Sequence, residues 1–226
     1  MTYVISDIHG NYTKFKELLE RICFCDRDVM YVLGDIVDYG DEPMQLLCDL
    51  SMRCNVLPVL GERDYKALYL LGEIDKVMAG EAPDSEVMRE VAEWIADGGQ
   101  TTVEGFRELD EDMREGVLDY LTDMALYEEL SVNGVKYILV HAGIADFDPM
   151  VSLDEYMPED FISEPLDING KYFDEATIIV GHTPTSEFGG DGRIVHGDGK
   201  IFIDCGAAHG KSLGCLCLET GEEFYV

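Results

Sequence analysis

The chain has 226 residues, 46% of them hydrophobic, which is enough for a substantial core and fits one globular unit. Acidic residues outnumber basic ones 47 to 16, and a formal charge of −31 repels nucleic acid and anionic lipid, so neither is an expected partner. The cysteines (Cys23, Cys25, Cys48, Cys54, Cys205, Cys215 and Cys217) have no disulfide-framework or CxxC spacing, and no leader or membrane-length apolar run is legible; a reducing, cytoplasmic setting is expected.

Residues 2–6 and 28–33 are predicted as short buried strands, with a helix over 11–21 between them carrying Phe15, Leu18 and Leu19 at helical spacing. The first strand stops at Asp7 and His9. The second stops at Asp35, followed by Asp38 in a Gly-flanked turn. A helix over 42–50 leads to a strand over 55–60, which ends at Gly61 and releases Glu62, Arg63 and Asp64. Residues 66–126 turn helical, with Val87, Val91, Trp94 and Ile95 on one face and Met113, Val117, Leu118 and Leu121 on another. Between those faces, DGGQTTVEGF has the composition of a loop.

The last hundred residues read as strands over 127–132, 136–140, 176–180, 200–203 and 214–218, with an Asn133-Gly134 hairpin signal between the first two. Cys215 and Cys217 then share one strand face as small core residues. A strand-helix half followed by a strand-rich half, with no linker, predicts one α/β domain over 1–226, with two packed central β-sheets flanked by helices.

Two later strands also end in candidate ligands, His141 after KYILV and His182 after TIIVG. An Asp at one strand end is ordinarily a turn or cap residue, and a lone His is ordinarily satisfied structurally. Five strand ends carrying carboxylates and imidazoles are a different matter. Such side chains suit Mn, Fe, Zn or Ni, and a bridging Asp can hold two ions about 3.5–4 Å apart, as two-metal phosphoryl transfer requires.

The elements DIHG, GDIVDYG, GERD, HAG and GHTPT, in that order, resemble the motifs of the calcineurin-like metallophosphoesterases, most closely the bacterial branch of the PPP-type serine/threonine protein phosphatases. The resemblance spans nearly the whole chain and implies a four-layer αββα fold with two divalent ions, manganese first, with iron, zinc or nickel as alternatives. It implies that Asp7 and His9 bind one ion, Asp35 bridges, and His141 and His182 bind the other. Glu62 stands where the family has an Asn ligand and is expected to coordinate in its place. The implied activity is phosphomonoester hydrolysis by water activated between the ions, on a phosphorylated protein or a small phosphoester.

Three positions depart from the family. Arg63 replaces the His that protonates the leaving oxygen, and an arginine does not give up a proton at working pH. Tyr39 replaces a phosphate-binding Arg, and Glu164 precedes Pro165 where many bacterial relatives carry a second Arg. The retained Asp38 is expected to orient Arg63, with Arg63 contacting phosphate. The resulting expectation is altered or reduced hydrolysis, the alternative being a catalytically degenerate phosphatase that binds metal or phosphoprotein. His196 and His209 are expected in surface or loop positions.

Overall fold

The structure is a computed structural model and describes residues 1–170 and 172–226. In chain order the strands are β1 (Thr2–Ile5), β2 (Val29–Leu33), β3 (Val56–Val59), β4 (Tyr127–Val132), β5 (Val135–Val140), β6 (Ala176–Val180), β7 (Val195–Gly197), β8 (Lys200–Phe202), β9 (Gly214–Cys217) and β10 (Glu223–Tyr225). The helices are α1 (Tyr12–Arg21), α2 (Pro43–Ser51), α3 (Glu62–Met78), α4 (Ser85–Trp94), α5 (Gln100–Glu108), α6 (Glu111–Thr122) and α7 (Glu159–Ile162).

The strands form two five-stranded sheets, in the orders β10-β9-β1-β2-β3 and β4-β5-β6-β8-β7. In the first, β1, β2 and β3 run parallel; in the second, β5, β6 and β8 do. Strand alternation gives each sheet two apolar faces. Val4, Leu33, Val59 and Leu216 of one sheet meet Leu139, Ile179 and Ile203 of the other in a shared inter-sheet core. Tyr3, Ile5, Cys215 and Cys217 point the opposite way, into the core built with Phe15 and Leu18 of α1. The two cysteines therefore serve as apolar filler on one face, and all seven cysteines are free.

The Asn133-Gly134 turn has φ 51° and 83°, the left-handed pair that a two-residue hairpin requires. DGGQTTVEGF differs from its loop reading, because α5 begins inside it at Gln100 and buries Thr102, Val103 and Phe106 on one face. Packing overrides the weak helix propensity of its Gly and Thr residues. The actual break lies earlier, at Asp97 and Gly98, where Gly98 takes φ 104°. Helix α3 starts at Glu62, earlier than its periodicity suggests, because the Asp64 carboxylate caps the Gly61 N–H at 3.2 Å. Among the described residues no helix is long and apolar enough to cross a membrane.

Candidate metal centre

The carboxyl ends of β1, β2, β3, β5 and β6 deliver Asp7, Asp35, Glu62, His141 and His182. This is the end of parallel strands where α/β folds place ligands. Beyond the strands, backbone hydrogen bonds continue the β1-β2 pairing: Asp7 N to Gly34 O at 3.1 Å, His9 N to Asp35 O at 2.9 Å and Gly10 N to Ile36 O at 2.7 Å. Asp7, His9, Asp35 and His182 all hold positive φ, at 54°, 48°, 51° and 61°. Non-glycine residues adopt this region at a cost, and such strain gathers at functional sites. Gly181 is required by close approach, since a Cβ there would collide with the Ser6 hydroxyl and the Asp7 carboxylate.

Asp35 lies between two groups of potential ligands. His9 Nε2 stands 3.7 Å from Asp7 Oδ1 and 3.7 Å from Asp35 Oδ2, while His141 Nε2 stands 3.4 Å from Asp35 Oδ1. One ligand atom each from Asp7, His9 and Asp35 lies within 4.8 Å of the others, and the same holds for Asp35, His141 and His182. The Nδ1 atom of His141 sits 2.7 Å from Leu33 O, and that of His9 sits 3.1 Å from Val37 O. With those Nδ1 atoms donating, the neutral form of each ring turns a lone pair on Nε2 into the site. His141 Nε2 is buried and has no hydrogen-bond partner among the described residues.

The electrostatics ask for a cation. Among the described residues no Lys or Arg forms an ion pair with buried Asp7 or Asp35, and the cation-forming groups within 4 Å of them are the imidazoles of His9 and His141. Burial works against a charge on His9, but Asp7 and Asp35 outweigh it and raise its pKa to about 9. Burial, then the neighbouring Asp7 charge, raises the carboxyl of Asp204 to about 7. A carboxylate and imidazole donor set of this kind, with an orphaned buried nitrogen, fits divalent metal.

Glu62 stands at the head of α3 with its side chain about half exposed, Oε2 3.9 Å from His182 Nδ1, outside the two tight groups. Arg63 Nη1 reaches Asp97 Oδ2 at 2.8 Å and Asp97 O at 3.1 Å, and its Nη2 donates to the Tyr39 hydroxyl. Asp38 is fully buried. One of its oxygens accepts from Trp94 Nε1 at 2.7 Å, the other from the Thr102 hydroxyl at 2.8 Å, and it approaches Arg63 Nη1 at 3.6 Å. The carbonyl of Glu164 accepts from Gly143 N at 2.5 Å, which sets that segment against the element carrying His141, while its side chain is exposed.

His209 is exposed at the end of a single 3-10 turn (Ala207–His209) and lines the cleft together with Asp35, Glu62, Arg63 and His182; His196 is a surface residue paired with Glu223 at 2.7 Å. Sequence reasoning missed Asp204, a buried cleft residue that closes the apolar run IFI just as the candidate ligands close theirs. Ser6, Trp94, Asp97 and Thr102 carry no such signal. A largely apolar groove of about 680 Å³ adjoins the cleft, sharing Glu62 with it and lined by Tyr65, Lys66, Leu68, Tyr69 and Ile162.

The calcineurin-like phosphoesterase family model matches residues 2–205. The chain belongs to that family. Members of the family use divalent metals. The chain is 32% identical over 77 residues to a symmetrical bis(5'-nucleosyl)-tetraphosphatase of Wigglesworthia glossinidia brevipalpis, covering 33% of this chain and 28% of that protein. It is 42% identical over 65 residues to the protein of the same name from Buchnera aphidicola subsp. Acyrthosiphon pisum (strain Tuc7), covering 28% of this chain and 24% of that one. The matched stretches thus span about a quarter of these relatives' length.

Among solved structures, a candidate diadenosine tetraphosphatase superposes with a TM-score of 0.67 at 18% identity, covering 100% of this chain and 92% of that one. A serine/threonine phosphatase from Saccharomyces cerevisiae superposes at 0.56 and 14% identity, covering 100% and 79%. At such identities the likeness concerns the fold.

Proposed function

We propose that this phosphoesterase is a two-metal hydrolase of small phospho-substrates whose leaving group departs as a stable anion, phosphoanhydrides and activated aryl phosphates first. Asp7, His9 and Asp35 hold one divalent ion; Asp35, His141 and His182 hold the other, with Glu62 reaching the second from the head of α3. Manganese is the first metal to try, with iron, zinc and nickel behind it. The observation that carries this reading is Asp35, whose two oxygens face His9 and His141, the latter with an unpartnered buried Nε2. Such ions supply a nucleophile at neutral pH and offset charge on a phosphoryl group.

The chain's own residues narrow the substrate. Arg63 occupies the proton donor's place and keeps its proton, so no general acid acts from that position. An alkoxide leaving from phosphoserine needs that proton, whereas a phosphate-ended or aryloxide leaving group does not. The relatives named for bis(5'-nucleosyl) tetraphosphates act on anhydrides, in keeping with this preference. Arg63 contacts phosphate as a fixed cation, and the groove shared at Glu62 receives the organic part of the substrate against Tyr65 and Tyr69. The motif order resembles that of bacterial PPP-type phosphatases, but the relatives found by sequence are named as tetraphosphatases, and Arg63 and Tyr39 set the chemistry apart from that of the PPP branch. The free cysteines suit a reducing cytoplasm.

The test is parallel turnover, with manganese, of diadenosine tetraphosphate, para-nitrophenyl phosphate and a phosphoserine peptide. The first two are hydrolysed, and the peptide at least about 100-fold more slowly. Equal rates on all three would overturn the leaving-group reading. Tight metal binding without any turnover would instead favour the second reading, a phosphatase-derived binding module, which the engagement of Arg63 by Asp97 and Tyr39 also favours.

A further inference from the structure

Arg63 brings a long, flexible side chain to a position the family gives to a compact imidazole. A guanidinium with free rotamers loses side-chain entropy on ordering and makes a poor phosphate clamp unless it is held. Here it is held from outside the recognised motifs. The irregular turn between α4 and α5 brings Asp97 to Nη1 through both a carboxylate oxygen, at 2.8 Å, and its backbone carbonyl, at 3.1 Å. The Tyr39 ring lies 4.8 Å beneath the guanidinium carbon, and its hydroxyl accepts from Nη2.

The same turn positions Tyr39. Gly98 O accepts from Tyr39 N at 2.9 Å, and a Cβ on Gly98, at φ 104°, would fall 2.5 Å from the Tyr39 ring. On either side of the turn, Trp94 and Thr102 occupy the two oxygens of Asp38. Asp38 keeps its expected ion pair with Arg63 at 3.6 Å while its oxygens also serve Trp94 and Thr102, and Asp97 is the closer carboxylate, at 2.8 Å.

A guanidinium carries five N–H donors. Two oxygens of Asp97 engage Nη1 and one oxygen of Tyr39 engages Nη2. Nε–H and the second Nη2 proton have no acceptor among the described residues. Nε–H and the neighbouring proton of Nη2 form one edge of the planar group, an edge that suits bidentate contact with two phosphoryl oxygens. Arg63 also lines the cleft with His9, Asp35 and His182.

Resting on the phosphate role of Arg63 proposed above, we propose that Asp97 is the positioning residue for Arg63: it fixes the guanidinium so that the Nε/Nη2 edge receives the phosphoryl group of the substrate. Asp97 does not touch substrate. Its carboxylate offsets part of the guanidinium charge, and what it supplies in exchange is orientation.

The test reads binding of inorganic phosphate to the manganese-loaded protein by calorimetry, alongside KM and kcat for para-nitrophenyl phosphate. Asp97→Ala is expected to weaken phosphate roughly 10-fold and to raise KM, the size of one lost charge-assisted contact. Asp97→Asn keeps an acceptor oxygen and the carbonyl, and is expected to bind within about threefold of the native protein. In an Arg63→Ala background, Asp97→Ala is expected to change nothing further, a coupling that a merely structural residue would not show. Asp97 is more than half exposed, so truncation is tolerable; Asp97→Ser is the substitute should the Ala variant be unstable.

Unchanged or tighter phosphate binding in Asp97→Ala would overturn the proposal, since Asp97 would then be a restraining counterion. Additive losses in the double variant would do the same, as would a native protein with no phosphate affinity. Phosphate binding that follows the expected pattern without any turnover would leave the positioning role standing and sink only the hydrolase reading.

Discussion

The Nε2 atom of His141 stands 3.4 Å from Oδ1 of Asp35, buried and without a hydrogen-bond partner among the described residues, while its Nδ1 sits 2.7 Å from Leu33 O. An imidazole anchored on one nitrogen and unsatisfied on the other is an energetic liability unless a cation fills the gap. Metal stoichiometry tests the pairing of ligands around Asp35. The native protein is expected to bind two manganese ions, His141→Ala one, and Asp35→Asn neither tightly. Two ions retained by Asp35→Asn would contradict a shared ligand.

Proton release follows from His9. Without metal its pKa is raised to about 9, because Asp7 and Asp35 outweigh the effect of burial, so the ring is protonated at neutral pH. A metal ion needs the neutral ring and must displace that proton. Apparent metal affinity is therefore expected to climb as pH rises toward about 9 and to level off above it. Calorimetry at pH 7 in buffers of different ionisation enthalpy should show protons leaving on metal uptake; no buffer dependence would contradict this.

Substituting Arg63→His together with Glu62→Asn returns a dissociable proton and the shorter ligand. Hydrolysis of a phosphoserine peptide is expected to rise by roughly 10² or more, while para-nitrophenyl phosphate, whose leaving group needs little protonation, gains much less. An equal gain on both substrates would place the native defect in metal binding.

Trp94→Phe removes one of the two neutral donors that satisfy the buried Asp38 carboxylate while keeping most of the ring volume. Stability in urea is expected to fall by about 1–3 kcal/mol, the cost of leaving a buried acceptor short of a partner. A change within error would show that water or Arg63 takes the place of the indole.

Tyr69 is 53% exposed and lines the groove beside Glu62. Tyr69→Ala is expected to raise KM for para-nitrophenyl phosphate several-fold and to leave inorganic phosphate affinity unchanged, the difference reporting aryl contact of about 1 kcal/mol. A matched loss for both ligands would remove the groove from substrate binding.

Much of the site was legible in the sequence because each contributing strand announces itself as an apolar run broken by a single ionisable residue. Asp7, Asp35, His141 and His182 all follow that pattern, and the structure brings them together. Glu62 follows it too, yet its side chain points to His182 from a half-exposed position, a helix-entry geometry that spacing does not reveal. The partners of Arg63 and Asp38 were hidden for another reason. Trp94, Asp97 and Thr102 lie 34 to 64 residues further along the chain than the residues they contact, and reach them through packing of α4 and α5. The same packing makes a helix of Thr-rich residues that resemble a loop. Strands of three residues, such as β7 and β10, and the four-residue α7 are too short to carry a period.

Turnover of para-nitrophenyl phosphate with and without manganese, by the native protein and by Asp35→Asn, tests the two-metal hydrolase most directly. Manganese-dependent hydrolysis by the native protein, abolished in Asp35→Asn, is the expected result. No hydrolysis by a native protein shown to hold two ions, or equal hydrolysis by both proteins, would contradict it.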